Sequence, residues 1–177
     1  MQDPSTISSY IVLTKRKDKL YYAKYSRSEI PFSGKKTHYY PNGELCFRGD
    51  YKDGKPDGIH EYYNVTGRVE KISYEYGEIS SIEYYDENKR LMQITPYKNG
   101  VKHGISQRYN EYGKLTTKES FKNGVRHGWR SDLKWGTEHT WSHVFYKNDQ
   151  LMGFDDLDEP KNENEIQEST TQLSLFT

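Results

Sequence analysis

The stretch Tyr51-Lys52-Asp53-Gly54 returns along the chain as Tyr97-Lys98-Asn99-Gly100 and as Phe121-Lys122-Asn123-Gly124. Weaker copies are Tyr74-Glu75-Tyr76-Gly77 and Tyr146-Lys147-Asn148-Asp149, and self-comparison gives a period of 22–24 residues. Asp-Gly and Asn-Gly steps reach positive φ at low energetic cost, so they turn the chain between antiparallel strands. A repeat of this length and chemistry predicts a series of stacked β-hairpins.

Further positions recur after each strong turn. A second glycine is followed by aromatic residues, a further turn and an apolar residue. These positions are Gly34, Gly58, Gly104 and Gly128 for the glycine, Tyr39-Tyr40, Tyr62-Tyr63, Tyr84-Tyr85 and Tyr109 for the aromatic residues, and Leu45, Val69, Leu91 and Leu115 for the apolar residue. The intervening segments are rich in Tyr, Ile and Thr, and none has a sustained 3.6-residue apolar stripe. We therefore predict an all-β protein, an antiparallel β-meander of 22–24-residue hairpins.

The spacing from about Gly34 to Trp129 resembles the MORN-repeat variant found in many bacterial proteins, some of them labelled antitoxin components. The family pattern is Gly-x-x-x-x-Tyr-Tyr, then a turn glycine, then Tyr-Lys-Asn-Gly. This chain departs from it at Ser80 and Ser81, one of which replaces the glycine before the third aromatic pair. The resemblance implies the hairpin fold, but it implies no single chemistry.

These patterns divide the chain into three parts. Residues 1–33 contain alternating apolar positions and are predicted to form an N-terminal strand pair or cap. Residues 34–153 carry the repeats, and Trp135 and Trp141 suggest a capping unit at their end. Residues 154–177 begin with an acidic, polar run whose burial cannot offset the entropy of ordering it, so we predict a disordered tail.

Composition narrows the class of protein. The net charge is zero, but residues 154–177 carry −6 and residues 1–153 carry +6, so a basic body lies next to an acidic tail. The 17 tyrosines suit a thin, half-exposed sheet, because a tyrosine buries its ring and keeps its hydroxyl in water. Cys46 is the one cysteine, which excludes an internal disulfide and fits a reducing compartment. With no apolar run long enough for a signal peptide or a membrane span, we expect a cytoplasmic protein without membrane contact.

The last residues carry the strongest functional signal. Gln172, Leu173, Ser174, Leu175 and Phe176 place apolar side chains after a polar run that offers them no core. This pentapeptide resembles the one by which replication and repair proteins dock on the bacterial sliding clamp, and all five positions have the motif's preferred types. The resemblance implies that Leu175 and Phe176 fill one apolar pocket, that Leu173 fills a neighbouring one, and that Gln172 hydrogen-bonds the rim.

Other chemistry is less well supported by the sequence. Gly34-Lys35-Lys36-Thr37 lacks the upstream glycine of a phosphate-binding loop. His139 and His143 would lie about 13 Å apart on a strand, too far to share a metal ion. Cys46 has no neighbouring base, and His60, His103 and His127 occupy repeat positions, so we interpret these residues as structural. We predict no catalytic residues, no metal and no cofactor.

Three functional hypotheses remain. The leading hypothesis is a non-enzymatic adaptor whose tail docks on the sliding clamp and whose β-repeat body is a binding module at replication or repair sites. Inhibition of replication is one possible consequence of this docking. The sequence leaves a phage or a toxin–antitoxin origin open. The alternative is an antitoxin-like protein-binding module unrelated to replication, and an enzyme is the least favoured. A weaker signal is the interleaving of cations with tyrosines, as in Arg108-Tyr109 and at Lys98, which single-stranded nucleic acid could contact.

Overall fold

The computed structural model describes residues 13–15, 19–23, 30–134 and 141–155. All regular secondary structure in these ranges is β-strand, which confirms the predicted all-β class. The strands are β1 (Leu13–Lys15), β2 (Tyr21–Ala23), β3 (Gly34–Tyr39), β4 (Leu45–Lys52), β5 (Lys55–Tyr63), β6 (Val69–Glu75), β7 (Glu78–Tyr85), β8 (Leu91–Lys98), β9 (Val101–Lys102), β10 (Gly104–Tyr109), β11 (Leu115–Lys122), β12 (Val125–Leu133), β13 (Trp141–Lys147) and β14 (Gln150–Asp155).

The main sheet follows the order of the chain. Its strands run β14-β13-β12-β11-β10-β8-β7-β6-β5-β4-β3, each antiparallel to its neighbours, with the short β9 also paired to β8. The predicted antiparallel meander of consecutive hairpins is thereby confirmed. Beyond Trp129 the segment predicted as a cap contributes two further strands, β13 and β14, to the same sheet, and β14 runs two residues into the range assigned to the tail.

The N-terminal strands form a separate antiparallel pair, β1 with β2, in the region for which a strand pair or cap was predicted. Backbone hydrogen bonds attach this pair to the turn between β4 and β5 and to the segment before β3. The Tyr21 amide donates to the Gly54 carbonyl at 2.8 Å, the Phe32 amide donates to the Tyr21 carbonyl at 2.8 Å, and the Gly54 amide donates to the Phe32 carbonyl at 2.8 Å. The pair therefore depends on the sheet, because two short strands are not stable alone in water.

One end of the sheet is made of two-residue turns. Asp53 and Gly54 have φ of 49° and 75°, and the same pair of positive angles recurs in the later copies. Those copies are Tyr76-Gly77, Asn99-Gly100, Asn123-Gly124 and Asn148-Asp149. Positive φ at both central residues is the mark of a type I′ turn, whose twist matches that of the flanking strands. The repeated tetrapeptide is thus the hairpin turn that the sequence predicted.

The opposite end uses a longer turn built on one side chain. The Asn64 side-chain oxygen accepts from the amides of Thr66 at 3.0 Å and Arg68 at 2.9 Å. The same side-chain oxygen at Asp86 and at Asn110 accepts from the amides two and four residues further on. This turn needs Asn or Asp at its first position, because the side-chain oxygen of that residue accepts hydrogen bonds from backbone amides of the same turn.

The structure corrects the alignment of the first aromatic pair. Tyr39 pairs with Leu45 across a bulge, as Tyr85 pairs with Leu91 in a later hairpin. Tyr40 therefore stands where Asn64 stands in the next repeat, and the pair Tyr39-Tyr40 is one residue out of register with Tyr62-Tyr63. The Tyr40 hydroxyl instead donates to the Tyr63 carbonyl at 2.7 Å and joins two neighbouring turns.

Packing in this single sheet is aromatic rather than aliphatic. Among the described hydrophobic residues only Val69 is fully buried. The densest cluster surrounds the His60 ring, whose centroid lies 5.5 Å from Phe47, 5.0 Å from Tyr51 and 4.7 Å from Tyr74. The ring lies against Gly49, where a Cβ atom would come within 2.6 Å of it, so only glycine fits at that position.

We expect the fold to be lost in alkali through its tyrosines. Burial, followed by the charges of Tyr62 and Tyr21, raises the pKa of Tyr74 from 10.0 to about 12. A group whose pKa is raised by folding stabilises the protein below its unfolded pKa, and that contribution is lost as the pH rises through the folded value. The free energy of unfolding should therefore fall between pH 10 and about 12. Urea unfolding followed by circular dichroism at a series of pH values measures this.

The variant Tyr74→Phe removes one of these groups, and its stability should fall less steeply over the same pH range. Tyr76→Phe is the matched control, because Tyr76 is exposed at a turn. An unchanged slope in Tyr74→Phe would contradict the assignment.

Candidate functional site

The pentapeptide Gln172–Phe176 lies outside the described residues, as does His139. The described chain ends at Asp155 in β14, and the candidate binding surface lies on the main sheet, which precedes the pentapeptide in the sequence. No group of three or more His, Cys, Asp or Glu side chains in the described ranges is placed to hold a metal ion. Those ranges also lack any helix that could cross a membrane.

The histidines of the repeats have local partners. His60 is 1 % exposed, and its Nε2 lies 2.7 Å from the Asp50 carbonyl oxygen. Burial is the largest influence on this ring and lowers the pKa of His60, which favours the neutral form. His143 is also buried, with Nδ1 2.8 Å from the Ser131 hydroxyl. At the turns, the Asn123 amide donates to Nδ1 of His103 at 3.4 Å.

Two neighbouring tyrosines in a strand point to opposite faces of the sheet, because side chains alternate along a strand. Tyr63 and Tyr85 share one face with Glu61, Lys71 and Glu83, and we call this the carboxylate face. Polar groups on this face are paired with one another. The sequence contains the signal for this difference between the faces, because the two tyrosines are adjacent. The alignment of the hairpins alone did not assign them to opposite faces.

Glu61 is the centre of the carboxylate face. It is buried, accepts from Arg48 Nε, and lies 3.3 Å from Lys71 Nζ. The Tyr63 hydroxyl donates to the same carboxylate at 3.1 Å. Burial opposes ionisation of Glu61, but the hydrogen bonds from Arg48, Lys71 and Tyr63 outweigh it and lower the pKa of Glu61. The carboxylate is therefore a fixed anion within a structural network, not a group poised to exchange protons near neutral pH.

The same arrangement recurs one hairpin further along. The Tyr85 hydroxyl donates to Glu83 at 2.5 Å, and Lys71 Nζ lies 4.9 Å from the centroid of the Tyr85 ring. In the next hairpin the Tyr109 hydroxyl donates to Gln107 at 3.1 Å. Tyr63, Tyr85 and Tyr109 are thus each held by the side chain two positions earlier, so these polar groups of the carboxylate face are paired within the sheet.

The opposite face carries a row of exposed groups. Register pairs place Tyr62 beside Glu70, Glu70 beside Tyr84, Tyr84 beside Gln93 and Gln93 beside Arg108. We call these five residues the ring row. Tyr62 is 39 % exposed and Tyr84 is 44 % exposed, and Arg108 is exposed as well. Tyr62, Glu70 and Tyr84 are among the residues that line an open cleft of about 530 Å³.

The side chains of the ring row are held in place from within the sheet. The Tyr62 ring packs on Phe47 of the neighbouring strand with the ring centroids 4.9 Å apart, and Tyr84 lies beside Glu70 in the register of the sheet. Arg108 Nε donates to the Gln93 side-chain oxygen at 3.2 Å. The row therefore presents two rings and one cation, a combination suited to binding a partner. Sequence reasoning singled out Arg108 but missed Tyr62 and Tyr84 as its neighbours on one face.

No protein-family model matches the chain, and no characterised protein matches it either. The resemblance to the MORN variant, and that of Gln172–Phe176 to clamp-binding peptides, therefore rest on residue types and spacing alone.

Lys36 is an unusual feature of the face that carries the ring row. It lies opposite Gly49, is 4 % exposed, and its Nζ has no hydrogen-bond partner among the described residues. Burial lowers the pKa of this amine. An unpartnered buried donor opposes folding, because the amine loses its water without gaining a partner.

We expect Lys36→Met to stabilise the protein by about 1–3 kcal/mol, since it keeps the length of the side chain and removes the unpaired donor. The measurement is the free energy of unfolding in urea. Lys35→Met is the matched control, because Lys35 is exposed on the other side of the strand and its replacement also removes one positive charge. A less stable Lys36→Met would show that the amine has a partner in solution.

Proposed function

We propose that this protein is a non-enzymatic adaptor that docks on the bacterial sliding clamp through Gln172–Phe176 and presents the repeat sheet as a second binding surface. The observation that carries the proposal is the pentapeptide itself, in which every position has the residue type that clamp-binding peptides prefer. The described sheet supports the proposed second binding surface. On one face, tyrosine hydroxyls donate hydrogen bonds to carboxylates of the same sheet, whereas the other face exposes the ring row.

The expected affinity follows from the anchors of the peptide. Leu173, Leu175 and Phe176 each contribute about 1.5–3 kcal/mol on burial. Ordering the peptide costs about 2–5 kcal/mol, so the three anchors leave at most about 7 kcal/mol. Hydrogen bonds of the peptide backbone and of Gln172 with the pocket rim add to this and bring the expected affinity to the order of micromolar. An interaction of this strength exchanges readily, so the adaptor would share the clamp with other proteins that use the same pocket. When it is abundant, it would exclude a polymerase from that pocket and inhibit replication.

The acidic residues 156–171 serve as the tether in this proposal. They separate the end of β14 from Gln172, and a flexible chain of that length has an end-to-end distance of about 20–24 Å. The clamp-bound peptide and the sheet would then be close but would not obstruct each other. Repulsion among the carboxylates would extend the tether further.

A second candidate function is favoured by the ring row. Exposed aromatic rings beside an arginine are typical of protein-binding surfaces. The protein would then be an antitoxin-like partner of another protein, with no part for Gln172–Phe176. The two functions differ in one respect that can be measured, since removal of residues 172–177 abolishes the first and leaves the second intact.

The decisive variant is Leu175→Ala with Phe176→Ala in the full chain. We expect it to lower the affinity for purified bacterial clamp by at least about a hundredfold, because each apolar anchor contributes about 1.5–3 kcal/mol and tenfold in affinity corresponds to about 1.4 kcal/mol. Surface plasmon resonance with immobilised clamp measures this loss.

The control is Thr170→Ala with Thr171→Ala, which makes the same number of substitutions just outside the pentapeptide. It should bind the clamp as the parent does. Equal binding by the Leu175→Ala, Phe176→Ala variant, or no binding by the parent, would overturn the docking proposal.

A further inference from the structure

The ring row has a regular spacing that the clamp proposal does not use. Tyr62 is on β5, Tyr84 on β7 and Arg108 on β10, and β6 and β8 lie between them. Adjacent strands are about 4.7–4.9 Å apart, so the three side chains follow one another at intervals of about 9.4–9.8 Å across the sheet. The intervening positions, Glu70 and Gln93, are polar and belong to the same row.

The interval of about 9.4–9.8 Å can be compared with the axial repeat of each conformation that a bound chain can adopt. A polyproline II helix has three residues per turn and a rise of about 3.1 Å, so equivalent side chains recur about every 9.3 Å. One face of a β-strand repeats about every 6.6–6.8 Å, and an α-helix turns about every 5.4 Å. Stacked bases in a nucleic acid strand are about 3.4 Å apart. Of these conformations, only the polyproline II helix has an axial repeat that matches the spacing of the side chains in the ring row.

The chemistry of the row agrees with its spacing. Flat aromatic rings are the surface on which proline rings pack in the recognition of proline-rich segments. Packing of the Tyr62 ring on Phe47 holds that ring before any ligand binds, which lowers the entropy lost on binding. Arg108 stands one further turn along, where a carboxylate of the ligand would meet it.

We propose that the ring row binds a proline-rich segment of another protein in the polyproline II conformation, with prolines three residues apart over Tyr62 and Tyr84 and an aspartate or glutamate three residues further on against Arg108. The cleft beside Tyr62, Glu70 and Tyr84 receives the first two turns of the ligand. The site is independent of Gln172–Phe176, so its success or failure does not decide the clamp proposal.

The test uses fluorescence polarisation with the full chain and three labelled probes. The first probe is the peptide Pro-Pro-Ala-Pro-Pro-Ala-Asp, in which the prolines and the aspartate have the predicted spacing. The second is Asp-Pro-Pro-Ala-Pro-Pro-Ala, which has the same composition but cannot align two prolines and the aspartate with the row. The third is single-stranded oligothymidylate, which tests the row as a nucleic-acid surface.

We expect the first peptide to bind at least about tenfold more tightly than the second, a ratio that corresponds to one useful contact. Tyr84→Ala should weaken the first peptide by about tenfold or more, and Tyr84→Phe should keep most of the affinity because the ring remains. Arg108→Ala should remove the preference between the two peptides. Circular dichroism of each variant confirms that the sheet is intact.

Tyr112→Ala is the matched control, because Tyr112 is an exposed tyrosine at a turn that neither belongs to the ring row nor lines the cleft. This variant should leave the binding of both peptides unchanged, as should the Leu175→Ala, Phe176→Ala variant. Equal affinity for the two peptides, no binding of the first peptide, or full binding by Tyr84→Ala would overturn the proposal. Oligothymidylate binding that Tyr84→Ala abolishes, without peptide binding, would assign the row to nucleic acid instead.

Discussion

Within the described residues, the main sheet has no second layer beyond the β1–β2 pair at one end, and most other features of this structure follow from that constraint. Aliphatic side chains would remain in water on such a sheet, and among the described hydrophobic residues only Val69 is fully buried. Tyrosine solves the problem, because its ring lies along the sheet while its hydroxyl finds a partner. The hydroxyl of Tyr63 on Glu61 and that of Tyr85 on Glu83 are two instances of this arrangement. Cohesion therefore comes from backbone ladders, turns and tyrosine networks.

The turns were predictable because their chemistry is local. Asp53-Gly54 and Asn99-Gly100 have the positive φ that their residue types favour, and the order of the strands follows once every turn is a hairpin. The facing of side chains was less accessible, since a bulge shifts the alternation by one residue without changing the composition. Tyr39-Tyr40 resembles Tyr62-Tyr63 in sequence, yet Tyr40 lies in a turn. The ring row depends on register across five strands, which no single repeat reveals.

Register itself is a difficulty for a protein made of similar hairpins, because a slip by one repeat places equivalent residues against each other. Buried polar pairs that differ between repeats oppose such a slip. Thr95 and Ser106 hydroxyls are 2.9 Å apart in the middle of the sheet, whereas the Ser131 hydroxyl meets His143 near its end. His60 fills the corresponding position earlier in the chain, with Gly49 making room for its ring. A slipped sheet would lose these contacts and bury polar groups without partners.

Because side chains alternate along a strand, adjacent tyrosines lie on opposite faces of the sheet and have different surroundings. Tyrosines such as Tyr63 are bound to carboxylates and hold the hairpins together, so a substitution there affects stability first. Their neighbours in sequence, such as Tyr62 and Tyr84, are partly exposed. A repeat that supplies two adjacent tyrosines thus supplies one that is hydrogen-bonded within the sheet and one that is partly exposed. The spacing of the exposed tyrosines is set by the distance between strands, and this is the reason for proposing a ligand whose axial repeat matches that distance.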